Sequence, residues 1–329
     1  MVAKLQCTIK THKPAGSLAA RPLPAATGLL TNGMSAAVGR IFGGRIKDMS
    51  FLARSTDDVQ RLIGSTRVPG DATMLKADIK DFYLAGDHAD IIATATDWSR
   101  LPDDHDLHSE HSSVKEALPY LLYYQYVGDT DDDQTLVRVV CGTGMGAPCS
   151  GNITYFFLWM RFEQSIVGNW HTRQPLGILL YIRYLDDIFM FAETGCANSI
   201  LSHIRHACQP MYEVELDCSS DVEVSRLDLM ISKSQPSPTS GLCSLIHRPF
   251  TKPTARHVRL KHLSNHPVAV HLAWPLAEVR RMAMRYSRRE GFENARKQML
   301  DRFEHFGLHS VVLAKCRSWT PFKLRACSR

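Results

Sequence analysis

The spacing of apolar and polar positions changes along the chain, and each change predicts an element. Residues 178–185 and 188–191 are near-continuous apolar runs rich in β-branched and aromatic side chains, which predicts two strands meeting at Asp186-Asp187. Residues 74–79 predict another short strand, with Asp78 near its end. Residues 121–127 and 136–141 predict a hairpin closed by the acidic segment 128–133, and residues 234–240 a loop between two further strands. Helical patterns cover 34–46, 50–63, the apolar run 152–166, and 197–209, where Ile200, Leu201, Ile204 and Ala207 recur at helical spacing. From His266 onward Val268, Val270, Leu272, Leu276, Val279 and Met282 punctuate a basic helical surface. Residues 10–14 and 20–23 predict extended or turn backbone, because the residue before proline avoids the helical region. No internal repeat is present.

Composition narrows the class. A chain of 329 residues with 44% hydrophobic and 22% charged content is globular and large enough for two or three lobes. Its apolar runs are too short for a membrane-spanning helix, and residues 1–8 lack the apolar core of a secretory signal. Nine cysteines without a C-x-x-C pair predict reduced thiols in an intracellular setting and argue against a zinc ribbon or disulfide framework. The net charge of +6 is unevenly spread. Residues 247–329 hold 18 lysines and arginines against 5 acids, so the basic third points to a polyanionic partner.

The candidate chemistry centres on carboxylates. Asp186-Asp187 alone reads more readily as a solvated turn than as a metal site, since turns favour aspartate. Asp78 changes that reading: acids from two strands supply the minimum for two divalent cations that bridge a triphosphate. Two other groups carry less. His105, His108 and His111 lie in a polar, Ser-rich stretch (97–113) that predicts a solvated loop, and the acidic run 129–133 predicts a solvent-facing turn.

The ordered segments Asp78-Ile79-Lys80-Asp81-Phe82-Tyr83, Gly144-Met145-Gly146-Ala147-Pro148-Cys149-Ser150 and Tyr184-Leu185-Asp186-Asp187 resemble successive palm motifs of reverse transcriptases. Further segments resemble the Penelope-like retroelements: Lys10-Thr11-His12-Lys13-Pro14 with Arg21-Pro22, Arg226-Leu227-Asp228-Leu229, residues 247–254, and Ser264-Asn265-His266-Pro267. The resemblance implies an α+β right-hand polymerase, with fingers, an antiparallel palm sheet backed by helices, and a helical thumb. It implies fingers in residues 1–70, palm in 71–90, a fingers/palm insertion in 91–140, palm again in 141–255, and a basic helical thumb and tail in 256–329.

The resemblance also implies roles. Asp78, Asp186 and Asp187 are the expected catalytic metal ligands for two Mg²⁺ ions, with Mn²⁺ as a substitute. Arg21, Lys10, Ile79, Tyr83, Gly144 and Gly146 are expected at the nucleotide, with Tyr83 under the sugar as a gate against a ribose 2′-hydroxyl. Tyr184, Leu227, Asp228, Arg248 and Lys252 are expected along the primer and template. The implied partners are an RNA template, a DNA primer and dNTPs, with no membrane, in an intracellular setting that is nuclear for a eukaryotic element. Family members usually carry Ser where Ala147 stands and Pro where Gly151 stands. No segment resembling a GIY-YIG nuclease follows the thumb, which implies an endonuclease-lacking relative or a fragment. A truncated or co-opted remnant that binds nucleic acid without polymerising is the alternative, and an RNA-templated RNA polymerase is a third.

Overall fold

The computed structural model describes residues 3–9, 20–25, 29–47, 49–98, 107–128, 136–144, 146–168, 170–251, 260 and 264–305, with residues 314, 316 and 318. In chain order the elements are β1 (Ala3–Ile9), β2 (Ala20–Ala25), α1 (Asn32–Arg45), α2 (Thr56–Ser65), β3 (Arg67–Pro69), β4 (Thr73–Ile79), α3 (His88–Thr96), α4 (Leu107–Tyr123), β5 (Tyr126–Gly128) and β6 (Leu136–Arg138). They continue with α5 (Ser150–Leu158), a π-helical turn (Trp159–Glu163), α6 (Gln164–Val167), α7 (Trp170–Arg173), β7 (Ile178–Tyr184), β8 (Asp187–Ala192), α8 (Ala197–Cys208) and β9 (Val214–Ser220). The last are β10 (Glu223–Arg226), β11 (Leu229–Lys233), β12 (Leu242–Pro249), α9 (Val268–Arg285) and α10 (Arg289–His305). None of these helices is long and apolar enough to cross a membrane. The chain forms two compact units: residues 1–62 with 71–219, and residues 63–70 with 220–329.

The first unit is built on the sheet β7-β8-β4-β9, with β8 antiparallel to both β7 and β4. Strand side chains alternate between faces. One face of β4 and β8, carrying Leu75, Ala77, Ile79, Ile188, Met190 and Ala192, joins a core with Phe42, Ile91, Leu118, Ile153, Phe156, Phe157 and Ile204 from the helices. The other face of β8 carries Phe189 and Phe191, whose rings meet edge-on at 5.3 Å. All residues of β8 after Asp187 are buried, so the strand reads as an unbroken apolar run rather than an alternation. A second sheet in this unit has the order β2-β1-β5-β6. Its outer strand β2 carries Pro22 and Pro24, which suits an edge because proline cannot donate to a ladder.

The second unit contains the sheet β10-β11-β12-β3 and the helices α9 and α10. Val279, Ala283, Phe292, Met299, Leu300, Phe303 and Cys316 form its helical core. The imidazole of His247 on β12 contacts the Arg285 carbonyl at 2.9 Å, and Ser287 N–H donates to the His247 carbonyl at 3.0 Å, which fixes the α9–α10 junction to the sheet.

Three expectations are corrected. Residues 121–123 belong to α4, because Val114, Leu118, Leu121 and Leu122 are buried at helical spacing; only residues 126–128 enter the hairpin with β6. The solvated loop expected through residue 113 ends earlier, since α4 begins at Leu107, and His111 sits on it with Nε2 2.7 Å from the Thr96 carbonyl. His105 and the acidic run 129–133 lie outside the described residues. The helix expected from residue 50 starts at Thr56, where Asp58 accepts from the Arg54 N–H and the Ser55 hydroxyl. The helical pattern expected from residue 266 onward forms α9 and α10, with Val279 buried and Val268 and Leu272 73% and 51% exposed.

Candidate active site

Three acids are brought to one end of the sheet β7-β8-β4-β9. In the β4–β8 ladder Asp78 stands directly opposite Asp187, and in the β7–β8 ladder Tyr184 stands opposite Asp187. Cross-strand partners project from the same face. Asp78, Asp187 and Tyr184 therefore share the face opposite the helical core. Leu185 and Asp186 form the two-residue loop of the β7–β8 hairpin. Leu185 has φ of +54°, in the left-handed region that a tight two-residue hairpin loop calls for. That conformation is costly for leucine. Ile79 N–H donates to the Asp186 carbonyl at 2.8 Å, which fastens the turn to the end of β4.

Burial and the neighbouring charges of Asp186, Asp187 and Asp217 push the Asp78 acid from 3.8 up to about 6, against a smaller lowering by Lys76. The donor chemistry fits a hard divalent cation: oxygen ligands only, with a mutual repulsion that a bound cation relieves. Among the described residues, no three His, Cys, Asp or Glu side chains are already gathered as a closed metal cluster. The acids share a field without being drawn together.

Tyr83 lies beside them. Its ring packs on Phe82 at 5.2 Å, and burial with the nearby Asp186 charge pushes its phenol above the usual range. Its backbone is tied to the glycine turn: Thr143 N–H donates to the Tyr83 carbonyl at 2.9 Å, and Gly142 N–H to the Gly86 carbonyl at 2.7 Å. Gly142 has φ of +69°, and a Cβ there would stand 2.2 Å from the Tyr83 carbonyl oxygen. Gly144 has φ of +67°, and its Cβ would meet Gln125 Oε1 at 2.4 Å. Buried Thr143 joins the turn to α5 and to Gln125, just beyond α4: its carbonyl accepts from Ser150 Oγ and Gln125 Nε2, and its hydroxyl pairs with Thr154 Oγ1 at 2.7 Å.

The other expected residues are placed differently. Ile79 faces the core at 1% exposure and offers the site only its backbone. Gly146 lies in the same turn, with φ of +111°. Arg21 sits in β2 opposite Thr8. Lys10 and Lys252 lie outside the described residues. Leu227, Asp228 and Arg248 belong to the second unit. Leu227 has φ of +53° in the β10–β11 turn, Asp228 accepts from Arg281 at 3.2 Å and Arg285 at 3.1 Å, and Arg248 pairs with Glu223 at 2.9 Å.

Sequence reasoning missed the support beneath the acids. Arg183 and Glu163 form a fully buried, two-pronged ion pair, with Nε to Oε1 at 2.5 Å and Nη2 to Oε2 at 2.8 Å. A lone arginine in an apolar strand and a glutamate in an apolar helix give no sign that they meet. The only available signal was the cost of burying either charge alone.

This α+β fold is that of the right-hand polymerases. No known protein family and no curated protein matches the sequence. Solved structures with this fold include telomerase from Candida albicans in complex with a TWJ fragment of telomeric RNA, at 11% identity and TM-score 0.59, covering 98% of this chain and 56% of that one. The RNA-dependent RNA polymerase of a human picorbirnavirus is similar at 9% identity and TM-score 0.54, covering 91% of this chain and 55% of that one. The chain thus spans little more than half the length of each.

Proposed function

We propose that the protein is an RNA-directed DNA polymerase of the Penelope-like type, which adds deoxynucleotides to a primer 3′-hydroxyl with release of pyrophosphate. The observation that carries this reading is the register of Asp78 opposite Asp187, with Asp186 in the adjoining turn and Tyr83 beside them. A fold shared with proteins named telomerase and RNA-dependent RNA polymerase supports nucleic-acid polymerisation as the class.

Asp78 and Asp186 would hold Mg²⁺, or Mn²⁺ in its place, with Asp187 alongside. Such ions supply Lewis-acid stabilisation of the phosphates and a more nucleophilic primer hydroxyl. The chain's own groups do the rest. The Tyr83 ring, fixed through its backbone to the glycine turn, fills the space a ribose 2′-hydroxyl would need. Gly142 and Gly144 flank the tie to this tyrosine and, lacking side chains, would let backbone come close to the nucleotide. Arg21 and Lys10 would meet the triphosphate, where a guanidinium offers several donors. In the second unit the basic residues of α9 and α10, with Arg248 and Lys252, would hold the phosphates of a primer–template hybrid without reading sequence.

Primer extension on an RNA template with Mg²⁺ and dNTPs, with Asp186→Asn as control, tests the reading. Extension by the wild type alone supports it. Equal failure of both proteins while both bind duplex would leave a nucleic-acid-binding remnant, and a preference for rNTPs would leave an RNA polymerase.

A further inference from the structure

The Arg183 guanidinium makes more contacts than an ion pair requires. Glu163, the last residue of the π-helical turn, receives Nε and Nη2, and the Tyr181 hydroxyl donates to the same carboxylate at 2.8 Å. Its third nitrogen, Nη1, donates to the Leu185 carbonyl at 3.1 Å. Leu185 is the positive-φ residue of the hairpin that carries Asp186 and Asp187. The guanidinium also lies over the Tyr155 ring at 5.0 Å and the Phe82 ring at 5.8 Å, next to Tyr83 in sequence. Its backbone is equally held: Arg183 N–H donates to the Phe51 carbonyl at 3.0 Å, and Ala53 N–H donates to the Arg183 carbonyl at 2.8 Å.

A buried pair of this kind contributes little net stability over well-packed apolar residues. A planar fork with donors in fixed directions, by contrast, fixes geometry. An apolar substitute could fill the volume, but it could not hold the Leu185 carbonyl. A lysine could keep the charge, but its single nitrogen cannot span both Glu163 oxygens and the Leu185 carbonyl as the three nitrogens of the planar fork do.

We propose that Arg183 is a positioning residue for the acid-bearing turn: clamped by Glu163 and Tyr181, it holds the Leu185 carbonyl and so sets where Asp186 and Asp187 present their carboxylates. The inference rests on those acids being the metal ligands of the proposed polymerase. Arg183 touches no substrate; it acts through the turn.

The test compares wild type, Arg183→Lys and the double variant Arg183→Met/Glu163→Met, which removes both charges together. Mn²⁺ affinity, read by electron paramagnetic resonance without nucleotide, is the readout independent of activity. Both variants are expected to bind Mn²⁺ about 10- to 100-fold more weakly, as when the support of a metal ligand is lost. Their incorporation kcat should fall by at least about tenfold, because misplacement on the order of 1 Å costs ~100-fold, while duplex affinity stays near wild type. Wild-type Mn²⁺ affinity and kcat in a folded double variant would overturn the inference and leave the pair purely structural. If the double variant does not fold, Arg183→Lys decides on the same two readouts. A wild type that never extends a primer sinks the polymerase reading, and Mn²⁺ affinity still judges the role of Arg183.

Discussion

Replacing Asp78 by asparagine should stabilise the metal-free fold at neutral pH. Asp78 sits half-buried, facing the charges of Asp186, Asp187 and Asp217, and its acid rises from 3.8 to about 6. For a group sealed from water that rise corresponds to ~3 kcal/mol. Half-exposure screens the repulsion, leaving about 1–2 kcal/mol. Because the folded-state acid lies above its unfolded value, this contribution to stability is fully present below pH 3.8 and is lost as pH rises through about 6. Urea denaturation in a chelator, from about pH 4 to about pH 8, reads it directly. Wild type and Asp78→Asn should be alike at the acid end, and the variant should be the more stable above about pH 7. Adding Mg²⁺ should raise the stability of wild type and affect the variant less, since a ligand that binds only the folded state stabilises it. Parallel pH profiles for the two proteins, or a variant less stable at neutral pH, would refute the view that burial and neighbouring carboxylates raise the Asp78 acid.

Other expectations follow from the same contacts. Glu163→Gln leaves the Arg183 charge buried with a poor partner and should cost about 3–5 kcal/mol in urea melts; a loss below about 1 kcal/mol would show that water or another acid compensates. Gly142→Ala puts a Cβ 2.2 Å from the Tyr83 carbonyl on backbone with φ of +69°. It should destabilise by about 2–3 kcal/mol and raise KM for dNTP, whereas an unchanged KM would separate Tyr83 from the nucleotide. Tyr83→Ala should raise rNTP use relative to dNTP in single-nucleotide incorporation, and undiminished discrimination would dismiss the tyrosine as a gate.

Where apolar runs and turn chemistry agreed, the sequence was readable. The arms around Asp186-Asp187 are so rich in β-branched and aromatic residues that strand was the only economical reading, and β7 and β8 form there. Helix α8 buries Ile200, Leu201 and Ile204 as its spacing predicts. The misreadings arose where local signals conflicted. Helix α4 starts in a polar, Ser-rich stretch and contains Pro119, so residues up to 113 read as loop and Leu121 and Leu122 as strand, while buried Val114 and Leu118 fall between the two. The three-residue strand β3 pairs with β12, more than a hundred residues away, and nothing local specifies such a partner. For the site, the acids and Tyr83 were legible from the motif, but their support was not. Glu163 and Arg183 meet through tertiary packing, and Thr143 becomes a hub only because Gln125, α5 and the backbone of Tyr83 converge on it.

The most direct measurement is single-nucleotide incorporation into an RNA-templated DNA primer, with dNTP and Mg²⁺, comparing wild type with Asp186→Asn at equal duplex occupancy. The account predicts template-directed extension by wild type, loss of that extension by about a hundredfold or more in the variant, and unchanged duplex binding. Extension that survives the substitution, or none from a wild type that binds duplex and Mn²⁺ normally, would contradict it.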